Sequence, residues 1–198
     1  MKHTLFIILL LIVGTTQAQV AEKAEDISPL LIGETIPNEL LIDSKNQETS
    51  IIKVIGEKPT VMVLYRGGWC PYCNAQLSEL AKAEAEILSL GYQIVAVSPE
   101  SFENIAPTIK ADSLNYRIFS DTKANFIQKL GVAFKLPEGY KEYISTKSKG
   151  QITEILPVPT VLILNTKGTI LFEYINVDYK TRISKDLLIA VLKTIKQS

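Results

Sequence analysis

Thr60-Val61-Met62-Val63-Leu64-Tyr65-Arg66-Gly67-Gly68-Trp69-Cys70-Pro71-Tyr72-Cys73 is the stretch whose reading decides the fold. Its first six residues are β-branched, apolar or aromatic and carry no charge, the pattern of a strand buried on both faces. Gly67 and Gly68 permit a tight turn out of that strand. Pro71 suits the first position of a helix, which makes Cys70 its N-cap and places Cys73 in its first turn. The helical pattern runs to about Leu90, with Leu77, Leu80, Ala81, Ile87 and Leu88 on one stripe and Glu84 as its exception. Gly91 ends it.

Further along the chain, Gln93 to Ser98 reads as a second buried strand, Pro99 to about Ala111 as a helix containing Pro107, and Tyr116 to Ser120 as a third strand. Strands that alternate with helices pair in parallel through right-handed crossovers, which predicts an α/β sheet covered on both faces. Ala124 to Leu130 is a short helix closed by Gly131. Val161 to Leu164 and Thr169 to Val177 flank Asn165-Thr166-Lys167-Gly168, a hairpin signal that makes the sheet mixed. Ser184 is the expected N-cap of a last helix reaching about Lys196. Before the first strand, Leu30 to Ile42 reads as loop or short edge strand. Residues 135 to 153 are polar and irregular, with two readings: an exposed connector, or a loop over a site.

The chain has 198 residues, 46% of them hydrophobic, and 21 basic residues against 21 acidic ones. One ordinary domain fits that length, and the absence of net charge predicts no nucleic-acid partner and no electrostatic draw to an anionic membrane. Residues 1 to 18 read as a signal peptide: Lys2, an apolar run from Leu5 to Val13, and Thr16-Gln17-Ala18 before a cut. The run is about half of the roughly 20 residues a spanning helix needs, so no stable membrane anchor is expected. Residues 19 to 28 then form a flexible leader and 29 to 198 the domain, exported to the periplasm or secreted. Cleavage also removes His3, the sole histidine. That loss excludes Ser-His-Asp and Cys-His catalysis and histidine-ligated zinc or haem. Neither GxGxxG nor GxxxxGK[ST] occurs, so neither a cofactor nor a metal is expected.

Cys70 and Cys73 are the only cysteines. Three residues apart at a helix start, they can close a disulfide, and the helix dipole with its unpaired N–H groups favours thiolate. A structural zinc site lacks ligands, and a purely structural disulfide across two residues constrains the unfolded chain little. A redox-active Cys70–Cys73 pair is the expectation that remains. Arg66 reads as a fixed cation beside the thiols or as a surface ion pair. Trp69 reads as a shield and docking face for the sulfurs, or as packing. Pro159, in Val158-Pro159-Thr160, is ordinary at a strand start or marks a cis bond.

A buried strand that enters Trp69-Cys70-Pro71-Tyr72-Cys73, with Val158-Pro159-Thr160 and a hairpin downstream, resembles the thioredoxin fold, whose cis-proline loop packs against the cysteines. Tyr65 to Cys73, Ala96-Val97-Ser98-Pro99-Glu100-Ser101, Phe119-Ser120-Asp121 and Leu130-Gly131-Val132-Ala133 together resemble the AhpC/TSA peroxiredoxin-like family. The likeness runs from about Ile32 to the last helix. It implies a thioredoxin-like α/β fold, a central mixed sheet flanked by helices, and an exported antioxidant enzyme that reduces peroxides. In the family motif Pro-x-x-x-Thr-x-x-Cys, Cys73 takes the peroxidatic position, Cys70 replaces the threonine and Arg66 the proline. Cys70 is then the resolving thiol, with Trp69, Pro159 and Thr160 supporting the substrate, and a thioredoxin-like protein or small thiol restores the dithiol. The chain also resembles the TlpA/ResA group, which reduces disulfides of exported proteins. By the thioredoxin pattern Cys70 attacks first, while Leu64 stands where thioredoxins bury an acid.

The signal reading predicts that mass spectrometry of the exported protein finds Gln19 at its N-terminus. An exported chain that still carries Leu5 to Val13 would show an anchor instead.

Overall fold

The computed structural model describes residues 20–111 and 114–195. The signal-peptide reading of residues 1 to 18, Gln19 and the C-terminal end of the last predicted helix lie outside the described residues. A hairpin of β1 (Leu40–Ile42) and β2 (Glu48–Ser50) leads into α1 (Ile51–Ile55), and β3 (Thr60–Leu64) follows. Next come α2 (Pro71–Ser89), β4 (Gln93–Ser98), α3 (Phe102–Ala111), β5 (Arg117–Ser120) and α4 (Asn125–Lys129). The chain continues through β6 (Ala133–Lys135), α5 (Glu138–Lys147), β7 (Ile155–Pro157), β8 (Thr160–Leu164), β9 (Ile170–Ile175) and α6 (Lys185–Thr194).

Seven strands form one sheet in the order β2-β1-β5-β4-β3-β8-β9. The pairs β3–β4 and β4–β5 are parallel, and β8 joins β3 antiparallel, so the sheet is mixed as expected. Side chains alternate across a strand, and here the alternation divides the interior into two cores. Val61, Val63 and Tyr65 face α2, α3 and α6; Met62 and Leu64 face α1 and α4. Every one of these five is fully buried, each contributing about 1.5–3 kcal/mol of burial. On α2 the buried stripe is Leu77, Leu80, Ala83 and Ile87; Leu88, placed on the stripe from sequence, is 48% exposed. Ser184 caps α6 by accepting the Leu187 N–H, as its sequence position predicts.

Three expectations need correction. The flexible leader is tied to the domain: β6 leaves backbone groups open on one side, and Ala21 fills them, donating to Ala133 O and accepting from Lys135 N. The segment 135 to 153 is no irregular connector, since α5 occupies its middle. Ile144 of α5 packs with Leu136, Ile152 and Leu156 in a small third core under Trp69 and Phe134. The Val158–Pro159 peptide is trans, no cis bond occurring among the described residues. Here the chain runs extended from β7 into β8, with the Val158 N–H donating to Val132 O at 2.8 Å.

Gly131 ties α4 to the start of the domain. Its φ is +73°, and a Cβ placed there would come within 1.9 Å of the Ser28 carbonyl oxygen. Gly131→Ala should therefore destabilise the protein by more than about 2 kcal/mol. Thermal unfolding should show this as a fall in Tm on the order of 5 °C or more.

Candidate active site

The turn from β3 into α2 is held by side chains distant in sequence. Glu100, just beyond β4 and 2% exposed, accepts the Gly68 N–H on Oε2 at 2.6 Å. Asn74 Nδ2 donates to Gly68 O at 2.8 Å, and the Cys70 N–H reaches Gly67 O at 3.1 Å. Gly67 has φ +148°, and a Cβ there would lie 2.4 Å from Trp69 Nε1 and 2.8 Å from Glu100 Oε2. No other residue type fits that space without displacing the groups that shape the turn.

Cys70 is the N-cap of α2, and its carbonyl accepts the N–H groups of Cys73 and Asn74, each at 3.1 Å. Both cysteines are free thiols and nearly fully buried, Cys70 at 1% and Cys73 at 0% exposure. They differ in their electrostatics. A hydrogen bond from Cys73, with help from the Cys73 backbone N–H, Arg66 and Arg182 against the cost of burial, lowers the Cys70 pKa to about 6. Burial, and then the neighbouring Cys70, push the Cys73 thiol well above its ordinary value. The same surroundings therefore push the two thiols in opposite directions, Cys70 toward thiolate and Cys73 toward thiol.

Two guanidinium groups flank the sulfurs. Arg66 lies over the Trp69 ring at 4.9 Å and the Tyr179 ring at 4.4 Å, and Tyr179 meets Tyr72 edge-on with centroids 5.8 Å apart. Arg182, between β9 and α6, places Nη2 3.6 Å from Cys73 Sγ. Among the described residues neither arginine forms a salt bridge, so both charges are left to act on the thiols. The surface-pair reading of Arg66 is set aside by this geometry.

A cavity of about 310 Å³ opens beside Cys70. Arg66, Trp69, Tyr72, Pro159 and Tyr179 line it together with Cys70, and Tyr140 and Tyr143 of α5 belong to the same lining. Cys70 forms part of its wall; Cys73 lies behind, in the core beneath α2. Of the residues singled out from sequence, Arg66, Trp69, Cys70, Cys73 and Pro159 come together here. Thr160 turns its hydroxyl back to the Val158 carbonyl at 2.9 Å and is buried in β8, where it supports the wall without entering the cavity. No cluster of histidine, cysteine or acid side chains suited to a metal occurs among the described residues. Sequence reading missed Arg182 and Tyr179, whereas Tyr140 and Tyr143 lie in the segment for which it kept open a loop over a site. The i, i+3, i+4 spacing of Tyr140, Tyr143 and Ile144 was a legible helical signal, whereas nothing local marks Arg182.

The AhpC/TSA family pattern matches residues 32–172, which include both cysteines, Arg66 and Glu100. The chain belongs to the AhpC/TSA family. It is 25% identical over 105 residues to a Haemophilus influenzae relative described as a peroxiredoxin, bcp, across 53% of this chain and 67% of the relative. Its fold is that of reduced Prx3 of Vibrio vulnificus in complex with hydrogen peroxide, at a TM-score of 0.71 and 15% identity, covering 83% of this chain and 97% of that one. Peroxidoxin BcpB of Mycobacterium tuberculosis is similar at a TM-score of 0.66 and 16% identity, over 83% and 97% of the two chains. With the family come the peroxiredoxin-type thioredoxin fold and a thiol-dependent oxidoreductase, thiol peroxidase in type.

Iodoacetamide alkylation of the reduced protein should follow a titration of Cys70 with a midpoint near 6. Arg66 and Arg182 each favour the thiolate, so Arg66→Met or Arg182→Met should move that midpoint upward and slow alkylation at pH 6 several-fold. A midpoint unchanged in both variants would remove the guanidinium groups from this account.

Proposed function

We propose that this protein reduces hydroperoxides with a Cys70 thiolate as nucleophile and Cys73 as the resolving thiol. The observation that carries this reading is the division of the pair: the sulfur that ionises near neutrality is also the one in the cavity wall. Position in the family motif assigns the attack to Cys73 instead. Burial argues against it, because a thiol pushed well above its ordinary pKa supplies little thiolate.

In the first step the Cys70 thiolate attacks the terminal peroxide oxygen and the O–O bond breaks. The departing alkoxide takes up a proton and leaves as alcohol, or as water from hydrogen peroxide. Cys70 becomes a sulfenic acid. Arg66 lines the cavity with Cys70, where negative charge shifts from sulfur to oxygen, and a fixed cation there stabilises that shift. Cys73 then attacks the Cys70 sulfur, the S–O bond breaks, and a disulfide and water form. A thioredoxin-like protein or small dithiol restores the pair.

The N-terminal signal pattern supports work outside the cytoplasm. Among the described residues no helix is long and apolar enough to cross a membrane. A second reaction, reduction of protein disulfides, is favoured by one feature, the aromatic wall of Trp69, Tyr72, Tyr140 and Tyr179, which suits an apolar peptide.

Two measurements test this. After treatment with hydrogen peroxide, a dimedone-type reagent should label Cys70 strongly in Cys73→Ser protein and label Cys70→Ser protein little. Label confined to Cys73 in the Cys70→Ser protein would restore the motif's assignment. In steady state with a dithiol donor, hydrogen peroxide or an organic hydroperoxide should be turned over faster than a protein disulfide; the reverse order would establish thiol–disulfide exchange as the activity.

A further inference from the structure

A second cavity, of about 360 Å³, lies between α2 and the segment that runs into α6. It is distinct from the cavity beside Cys70, and the two share Tyr72 in their walls. Ala75, Leu80 and Ala83 of α2, with Ile183 and Leu188, give it an apolar lining. Two polar features set it apart from a packing gap. Gln76, one helical turn beyond Tyr72, is 8% exposed and lines the cavity, and its amide has no hydrogen-bond partner among the described residues. An amide held out of water without a partner is costly, and leucine at this position of the α2 stripe would fill the space without that cost. Lys180, Arg182 and Lys185 also line the cavity, against the acid Glu79.

The acids nearby are already engaged. Glu79 is paired with Lys82 at 2.7 Å. Asp178 accepts the Lys180 N–H and the Thr181 hydroxyl, and it is not part of the lining. The cavity therefore keeps an excess of positive charge over an apolar surface. Arg182 also joins it to the thiols: Nη1 donates to the Thr181 carbonyl at 3.1 Å, Nη2 lies 3.6 Å from Cys73 Sγ, and Nε has no partner.

We propose that this cavity binds an organic carboxylate with a short apolar tail, and that the bound carboxylate weakens the action of Arg182 on the thiols. The tail covers Leu80, Ala83 and Leu188, while the carboxylate accepts from the Gln76 amide and answers the charge of Arg182 and Lys185. A mostly apolar cavity with a few placed polar groups selects a molecule that carries both characters. A neutral alcohol leaves the cations unanswered, and acetate leaves the apolar lining uncovered. Arg182 is among the groups that favour thiolate at both cysteines. Negative charge set against it opposes that effect, so occupancy of the cavity lowers thiol reactivity without contact with either sulfur. The site is independent of which sulfur meets the hydroperoxide.

Octanoate is the probe, with octanol and acetate as its two halves. Calorimetric titration of the reduced full-length protein should show saturable octanoate binding at least about tenfold tighter than that of either control. Gln76→Leu should weaken it by about tenfold and Lys185→Met by about threefold. Without octanoate both variants should keep the wild-type midpoint for alkylation of Cys70, since neither residue is among the groups that act on the sulfurs. Saturating octanoate should raise the wild-type midpoint by about half a pH unit and leave that of Arg182→Met where it is. Octanoate that does not saturate, that binds no better than octanol or acetate, or that binds equally to wild type and both variants overturns the site. Binding that survives both variants and is lost in Arg66→Met places the anion beside Cys70 and overturns it as well. Tight binding with an unmoved midpoint overturns the coupling to the thiols.

Discussion

Two thiols are packed together out of water at the start of α2, and much of the surrounding structure answers that burial. An ionised thiol that is 1% exposed is costly unless dipoles and charges replace the water it has lost. Here the Cys73 thiol and backbone N–H, Arg66 and Arg182 do so. The same burial that makes this compensation necessary for Cys70 keeps Cys73 protonated. Chemically identical groups three residues apart are thus pushed in opposite directions.

The sheet supplies the frame for this division. Parallel pairing of β3 with β4 brings Tyr65 and Arg66 level with the segment from Ser98 to Glu100 at the carboxyl ends of the strands, where α/β proteins build their sites. Glu100 can then hold Gly68, and Gly67 leaves room for its carboxylate. The remaining wall comes from elements distant in the chain. Tyr179 arrives on the connection from β9 to α6, which also brings Arg182 to Cys73, and α5 contributes Tyr140 and Tyr143 through a small core of its own. Neither α5 nor that connection belongs to the strand–helix alternation of the sheet, and each adds what the turn into α2 lacks: an aromatic wall, and a second cation.

Much of this was legible in the sequence because it depends on local rules. A charge-free β-branched run specifies a buried strand, and a proline after a cysteine specifies an N-cap and a helix start. The hairpin signal at Asn165 to Gly168 specifies the antiparallel addition that makes the sheet mixed, and Ser184 is a cap in sequence and in structure. The errors arose where tertiary contacts overruled composition. Residues 20–28 are polar enough to read as a free leader, but the open backbone groups of β6 bind Ala21. Residues 138–147 are polar enough to read as connector, but three side chains at helical spacing find Trp69 and the cavity.

The sequence by itself determined the strand–turn–helix that carries the thiols, the sheet class, and the presence of Cys70, Cys73 and Arg66 in one site, since these follow from residue type and short-range spacing. Only the tertiary structure set the electrostatic surroundings of the two sulfurs. These depend on the burial of both and on Arg182, 109 residues beyond Cys73 in the chain. Burial and long-range charge are properties of the packed interior, and no local pattern around Cys70-Pro71-Tyr72-Cys73 encodes them.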